Sequence, residues 1–214
     1  MRAVQAFVIA AGLVAEVVGW WFVSSRGRDV WTLMPFVLGG MGVAAVLARR
    51  PVWVEGVSVA AALAVGAGSG LLLYLGTRAF VWVANHWEPF RRDVAKEYGE
   101  AATVTLGRSL ALSLIVMVPA EELFWRGLVQ GHLGTVTAAA TAALLTLLGY
   151  LVANLPSRSL PIVAGALVGG ALWGALAWWS GGVLASLGSH ILWTGAMLAF
   201  PPGDGRKAEK GVGA

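Results

Sequence analysis

The chain contains no cysteine among its 214 residues. A disulfide framework, a thiolate nucleophile, an iron–sulfur cluster and a Cys-ligated zinc are therefore excluded. Charge is nearly as scarce. Only 12% of the residues are Asp, Glu, Lys or Arg, about half the roughly 25% of an ordinary soluble domain, and the mean hydropathy is +0.76. Disorder, a nucleic-acid reader and a small secreted scaffold do not fit this composition. Asp occurs only as Asp29, Asp93 and Asp204. None lies in an apolar run, which argues against a membrane protease built on two facing Asp. The three His residues, His86, His132 and His190, include no His-Glu-x-x-His pair, so the usual zinc-protease helix is missing. Ser189 directly precedes His190 but lacks a nucleophile-elbow setting.

Long apolar runs are abundant. Taking about 18 or more apolar residues as a membrane span, the chain has seven: Val4 to Val23, Val30 to Leu47, Val57 to Ala84, Leu110 to Gln130, Val136 to Ala153, Leu160 to Trp179 and Gly182 to Phe200. Lipid leaves backbone polar groups unsatisfied outside helices and closed barrels, and the alternation of a barrel strand is absent. The expected fold is all-α, a polytopic transmembrane helical bundle of about seven spans. Residues 1–200 form one membrane domain, with a polar, disordered tail over 201–214. The first run carries Glu16 and is followed by no small-residue cleavage pattern, so it reads as a span rather than a removed signal.

The connections are short except Asn85 to Ser109. There Arg91, Arg92, Lys96 and Arg108 are mixed with Glu88, Asp93, Glu97 and Glu100. This stretch reads as a helix on the membrane surface, with Trp82 and Trp87 near the headgroups. The net charge of +4 comes from Lys and Arg between apolar runs, so the basic balance points to the lipid surface and not to nucleic acid. Counted over the two sides, these residues favour an outside N-terminus and a cytoplasmic C-terminus. Gly66, Gly68 and Gly70, and Gly165, Gly169 and Gly170, are expected to let helices pack closely.

An ionisable group at the centre of a span costs roughly 2.5–3.5 kcal/mol on an insertion scale, so each needs a reason. The spans contain Glu16, Arg78 and the run Glu121-Glu122-Leu123-Phe124-Trp125-Arg126. Glu122 and Arg126 are four apart on one helix face and can pair. Glu121 is turned roughly 100° away and is left free of that pair. Two carboxylates can thus take two roles, one a fixed counter-ion and the other a general base for water. The alternative is an ion pair that serves helix packing, with Glu121 a bystander. Glu16 should face protein. Arg78 either lines a cavity or snorkels beside Trp82.

Glu121 to Gly127 resembles the first motif, EExxxR, of the CPBP family of CAAX proteases and bacteriocin-processing proteins. Tyr150-Leu151-Val152-Ala153-Asn154 stands where the family has FxxxH, and His190-Ile191-Leu192-Trp193-Thr194 where it has HxxxN. The resemblance covers about residues 106–200. It implies a glutamic intramembrane endopeptidase in which Glu121 activates water, Asn154 is its partner, and His190 and Thr194 face the developing oxyanion, with Glu122 and Arg126 completing the site. Two departures stand out. Asn154 cannot act as a base, and Thr194 offers a hydroxyl where the family has an amide. Asn154-Leu155-Pro156 also reads as an ordinary helix end before proline. A reversal at Gly134 would set Glu121 and Asn154 at depths differing by roughly 10 Å, whereas His190 matches Glu121 better.

The expected function is hydrolysis of a peptide bond in a membrane-associated protein or peptide, in a multi-pass protein of the cell membrane, with no metal or other cofactor. The alternative is a catalytically silent relative that binds a membrane peptide as a chaperone, immunity or regulatory factor.

Overall fold

A computed structural model describes residues 2–202, so the tail expected over 201–214 lies almost wholly outside the described residues. Among those described there are helices and no strand. The helices are α1 (Arg2–Arg26), α2 (Val30–Ala48), α3 (Val59–Ala84), α4 (Glu88–Ala101), α5 (Leu106–Leu133), α6 (Ala139–Asn154), α7 (Leu160–Ser180) and α8 (Leu184–Ala199). Every expected run is helical, but their lengths differ from seven full spans. Five helices, α1, α2, α3, α6 (continuing through the turn Leu155–Ser157) and α7, are long and apolar enough to cross a membrane. A sixth is counted if α4 and α5 are taken as one span bent by 99°. α8 has only 16 residues, about 24 Å at 1.5 Å per residue, short of a ~30 Å hydrocarbon core.

Local sequence explains the ends. Asp29, Ser58, Thr105 and Ser159 each accept a backbone N–H from the first turn of α2, α3, α5 and α7, satisfying donors that a helix start leaves unpaired. Gly181 closes α7 in the left-handed conformation at φ 67°, where a side chain would be strained. The amides of Val183 and Leu184 at the start of α8 donate to the carbonyls of Val52 and Trp53 at 3.0 and 2.8 Å. The loop between α2 and α3 thus caps α8 in place of a side chain.

α5 runs through the middle of the bundle and packs against α1, α2, α6, α7 and α8. It is not a uniform α-helix. Two wide π-helical stretches, Leu112–Met117 and Leu123–Gln130, flank one α-helical turn, Val118–Glu122, that carries both glutamates. Pro119 lies in that turn. Its ring removes an N–H and crowds the carbonyl one turn back, and a locally wider winding relieves this. π-helical turns are often found at functional sites.

Small residues set the close contacts. A Cβ added at Gly66 would stand 2.6 Å from the Ala185 carbonyl oxygen, and one at Gly70 would stand 2.5 Å from that of Ser189. α3 and α8 therefore meet backbone to backbone, one residue from His190. Gly42 of α2 gives way to Ala120 of α5 in the same manner, at 2.7 Å. Gly169 and Gly170 leave room for the Trp173 and Tyr150 rings. A Cβ added at Gly68 would meet no neighbouring element within 4 Å, so its expected packing role does not hold.

Candidate active site

Glu122 is fully buried on α5. Its Oε1 lies 3.2 Å from Nη1 of Arg126, one turn on, and 3.0 Å from Nδ1 of His190 on α8. A carboxylate offers only acceptors, so the proton in the His190 contact belongs to Nδ1. Arg126 also donates from Nη2 to the Gly170 carbonyl at 3.2 Å, and its guanidinium lies over the rings of Tyr150 and Trp173, 4.9 and 5.4 Å from their centroids. Trp173 stacks on the imidazole of His190 at 3.5 Å and 15°. The buried cation is thus held by one carboxylate, one carbonyl and two aromatic faces.

Glu121 has a different environment. Its side chain is 13% exposed, against none for Glu122, and it borders a cavity of about 660 Å³. Oε1 of Glu121 accepts a hydrogen bond from the Tyr150 hydroxyl at 3.2 Å, and Oε2 lies 4.0 Å from Nε2 of His190. His190 therefore spans the two carboxylates, with one ring nitrogen towards each. The same cavity is walled by Tyr150, Asn154, Trp173, His190 and Thr194. It extends to Phe80 of α3 and to Phe90, Val94 and Tyr98 of α4, and its lining is chiefly apolar.

The structure brings Glu121, Glu122, Arg126 and His190 into one cluster, with Thr194 in the cavity wall a turn beyond His190. Asn154 lines the cavity, but its amide nitrogen is used elsewhere. It donates to Oε1 of Glu16 at 3.2 Å and to the Tyr150 carbonyl at 2.9 Å. The group that donates to Glu121 is the Tyr150 hydroxyl, one turn earlier on α6. That is the direction in which the depth mismatch of Asn154 pointed. Glu16 does face protein, where Nε1 of Trp125 donates to its Oε2 at 3.0 Å. Neither Glu16 nor Arg78 lines the cavity. Arg78 donates to the Tyr74 hydroxyl at 3.0 Å. His132, outside all three motifs, meets Oε1 of Gln5 at 2.8 Å.

Sequence reading missed Tyr150 as a donor, Trp125 as the partner of Glu16 and Trp173 as the platform under His190. Only the tyrosine had a local signal, a hydroxyl where the family has phenylalanine. Among the described residues no group of three or more His, Asp or Glu is arranged to hold a metal ion. At the outer end of the cavity, burial pushes the Glu97 carboxyl above its ordinary value, opposed by the Ser159 hydroxyl, and burial likewise pushes up the Tyr98 hydroxyl.

Residues 104–196 match the family described as type II CAAX prenyl endopeptidase Rce1-like. The match contains all three motif segments. Searches of curated proteins and of solved structures returned no match.

Proposed function

We propose that this chain, whose residues 104–196 match the Rce1-like family, is an intramembrane endopeptidase that hydrolyses a peptide bond of a membrane-associated protein or peptide with a water activated by Glu121. The family supports a peptidase in a multi-pass membrane protein. The observation that carries the mechanism is the division between the two adjacent glutamates. Glu122 is sealed in and held by Arg126 and His190, while Glu121 meets the cavity, hydrogen-bonded by the Tyr150 hydroxyl and 4.0 Å from Nε2 of His190.

A water beside Glu121 gives one proton to the carboxylate as its oxygen bonds to the scissile carbonyl carbon. The carbonyl π pair moves to oxygen and forms an oxyanion. When that intermediate collapses the C–N bond breaks, and the proton held by Glu121 passes to the departing amine. The products are a carboxylic acid and an amine, so atoms and charge balance. Thr194 supplies one hydroxyl donor to the oxyanion. His190 supplies the other from Nε2. Since Nδ1–H is given to Glu122, donation from Nε2 requires both ring nitrogens to carry protons. The apolar cavity shields the cluster and strengthens these interactions.

The second reading, a silent relative that binds a membrane peptide, is favoured by one observation: the Asn154 amide hydrogens are engaged with Glu16 and Tyr150 rather than with Glu121. The two readings separate in a cleavage assay. Purified protein in lipid discs is given a panel of membrane-associated peptides, prenylated CAAX tails included. Cleavage by the native chain, lost in Glu121→Gln, supports the enzyme. Saturable peptide binding without cleavage supports the silent relative.

A further inference from the structure

We propose that Glu16 is a positioning residue for this site. From α1, outside the matched segment, it fixes the Asn154 amide so that Oδ1 accepts the second hydrogen of the water that Glu121 activates. The inference rests on Glu121 being the base. It begins from an oddity: Glu16 is fully buried within an apolar helix and forms no ion pair among the described residues. A carboxylate in that setting needs a reason.

Its two oxygens have one donor each. Trp125 Nε1–H reaches Oε2 at 3.0 Å, and the Asn154 amide reaches Oε1 at 3.2 Å. The orientation of that amide is dictated by chemistry. The Tyr150 carbonyl 2.9 Å away can only accept, so the atom facing it is the NH2 nitrogen and not the oxygen. Both amide hydrogens are then used, one on Tyr150 and one on Glu16. The remaining polar end of Asn154 is Oδ1, an acceptor, on a residue that shares the cavity wall with Glu121. A reacting water has two hydrogens. Glu121 receives one as a proton, and a neutral acceptor for the other turns the oxygen lone pair towards the carbonyl carbon. Asn154 can do this without acting as a base. Glu16 touches neither water nor substrate and acts through Asn154.

Glu16→Gln tests the assignment because Gln has one acceptor oxygen for two donors. Its NH2 must confront either the indole N–H or the Asn154 NH2. In the CAAX-peptide assay, kcat should fall about tenfold or more, as misorientation at a reacting centre does, with KM within roughly twofold. In an Asn154→Ala background the same change should cost nothing further, because coupled residues are not additive. Equal losses from Glu16→Gln in both backgrounds would make Glu16 structural and overturn the inference, as would an unchanged kcat. A readout independent of activity is the side-chain amide signal of Asn154 in labelled protein, identified by its loss in Asn154→Ala. It should shift in Glu16→Gln, and an unmoved signal overturns the contact. Full activity in Glu121→Gln would instead overturn the enzyme reading, and the role of Glu16 as stated would go with it.

Discussion

Nδ1 of His190 stands 3.0 Å from Oε1 of Glu122, a contact that joins α8 to α5 across 68 residues of chain. The same oxygen faces Arg126 at 3.2 Å. Glu122 is thus the shared anchor of a cation and an imidazole, and its neighbour Glu121 is spared both duties.

This division predicts different consequences for two similar substitutions. Glu121→Gln keeps the shape and the bond from Tyr150 but cannot take a proton. Cleavage should fall about a hundredfold or more, the scale for losing a general base, with melting in detergent little changed. Glu122→Gln strips a buried guanidinium of its carboxylate, which costs roughly 3–5 kcal/mol when such a pair is broken. Folded yield and melting temperature should drop together with activity. Equal destabilisation by both would mark the pair as structural.

The helix contact beneath His190 has its own test. Gly70→Val drives side-chain atoms into the Ser189 carbonyl and should cost about 1–3 kcal/mol as overpacking, with activity reduced through displacement of His190. Gly68→Ala, two residues away and open on that side, should change stability by less than about 1 kcal/mol, in the stabilising direction for a helix. Thermal melts of the two variants beside the native protein decide it. Similar losses at both positions would contradict the close approach of α3 and α8.

How much of this was legible beforehand depends on distance along the chain. Glu122 and Arg126 lie one helical turn apart, so their pairing could be read from spacing alone. His190 followed from its motif and its depth. The contacts of Asn154 could not be read in this way. Its amide is claimed by Glu16, 138 residues earlier, and nothing local on either helix says that α1 packs against α5 and α6. Trp125 escaped for the same reason. The length of α8 was overestimated because an apolar run counts residues that the turn at Gly181 and the loop cap remove from the helix. The wide winding of α5 around Pro119 reflects how that proline is accommodated in a packed bundle, which hydropathy does not record.

Glu97 supplies a pH prediction away from the cluster. Burial raises its folded value above the ordinary one. Stability from the neutral carboxyl is fully present below the unfolded value of about 4.3 and is lost as pH rises through the higher folded value. At neutral pH the charged, half-buried Glu97 is therefore a liability. Glu97→Gln should raise the melting temperature at pH 7, and the gain should vanish near pH 4. A gain of the same size at both values would exclude ionisation as the cause.

The cluster is two carboxylates, one guanidinium and one imidazole whose Nδ1 is already committed to Glu122. That is a poor donor set for zinc, which takes several nitrogen, sulfur or carboxylate ligands in a tetrahedron. Cleavage should persist after exhaustive chelation and dialysis. Loss of activity that returns with added zinc would require a different mechanism.

The shortness of α8 has a consequence for the lipid around it. Its first amides are tied to Val52 and Trp53, and the carbonyl of Phe200 just past its end accepts from the Tyr74 hydroxyl at 2.7 Å. A free helix of this length would answer a thicker or thinner bilayer by shifting or tilting. This one is fastened at both ends to neighbouring protein, and its flank lies against the backbone of α3. A mismatch in thickness then falls on the lipid rather than on the helix, and the height of His190 relative to Glu121 is set by these contacts. Glu121 and His190 are levelled by protein contacts rather than by the thickness of the bilayer.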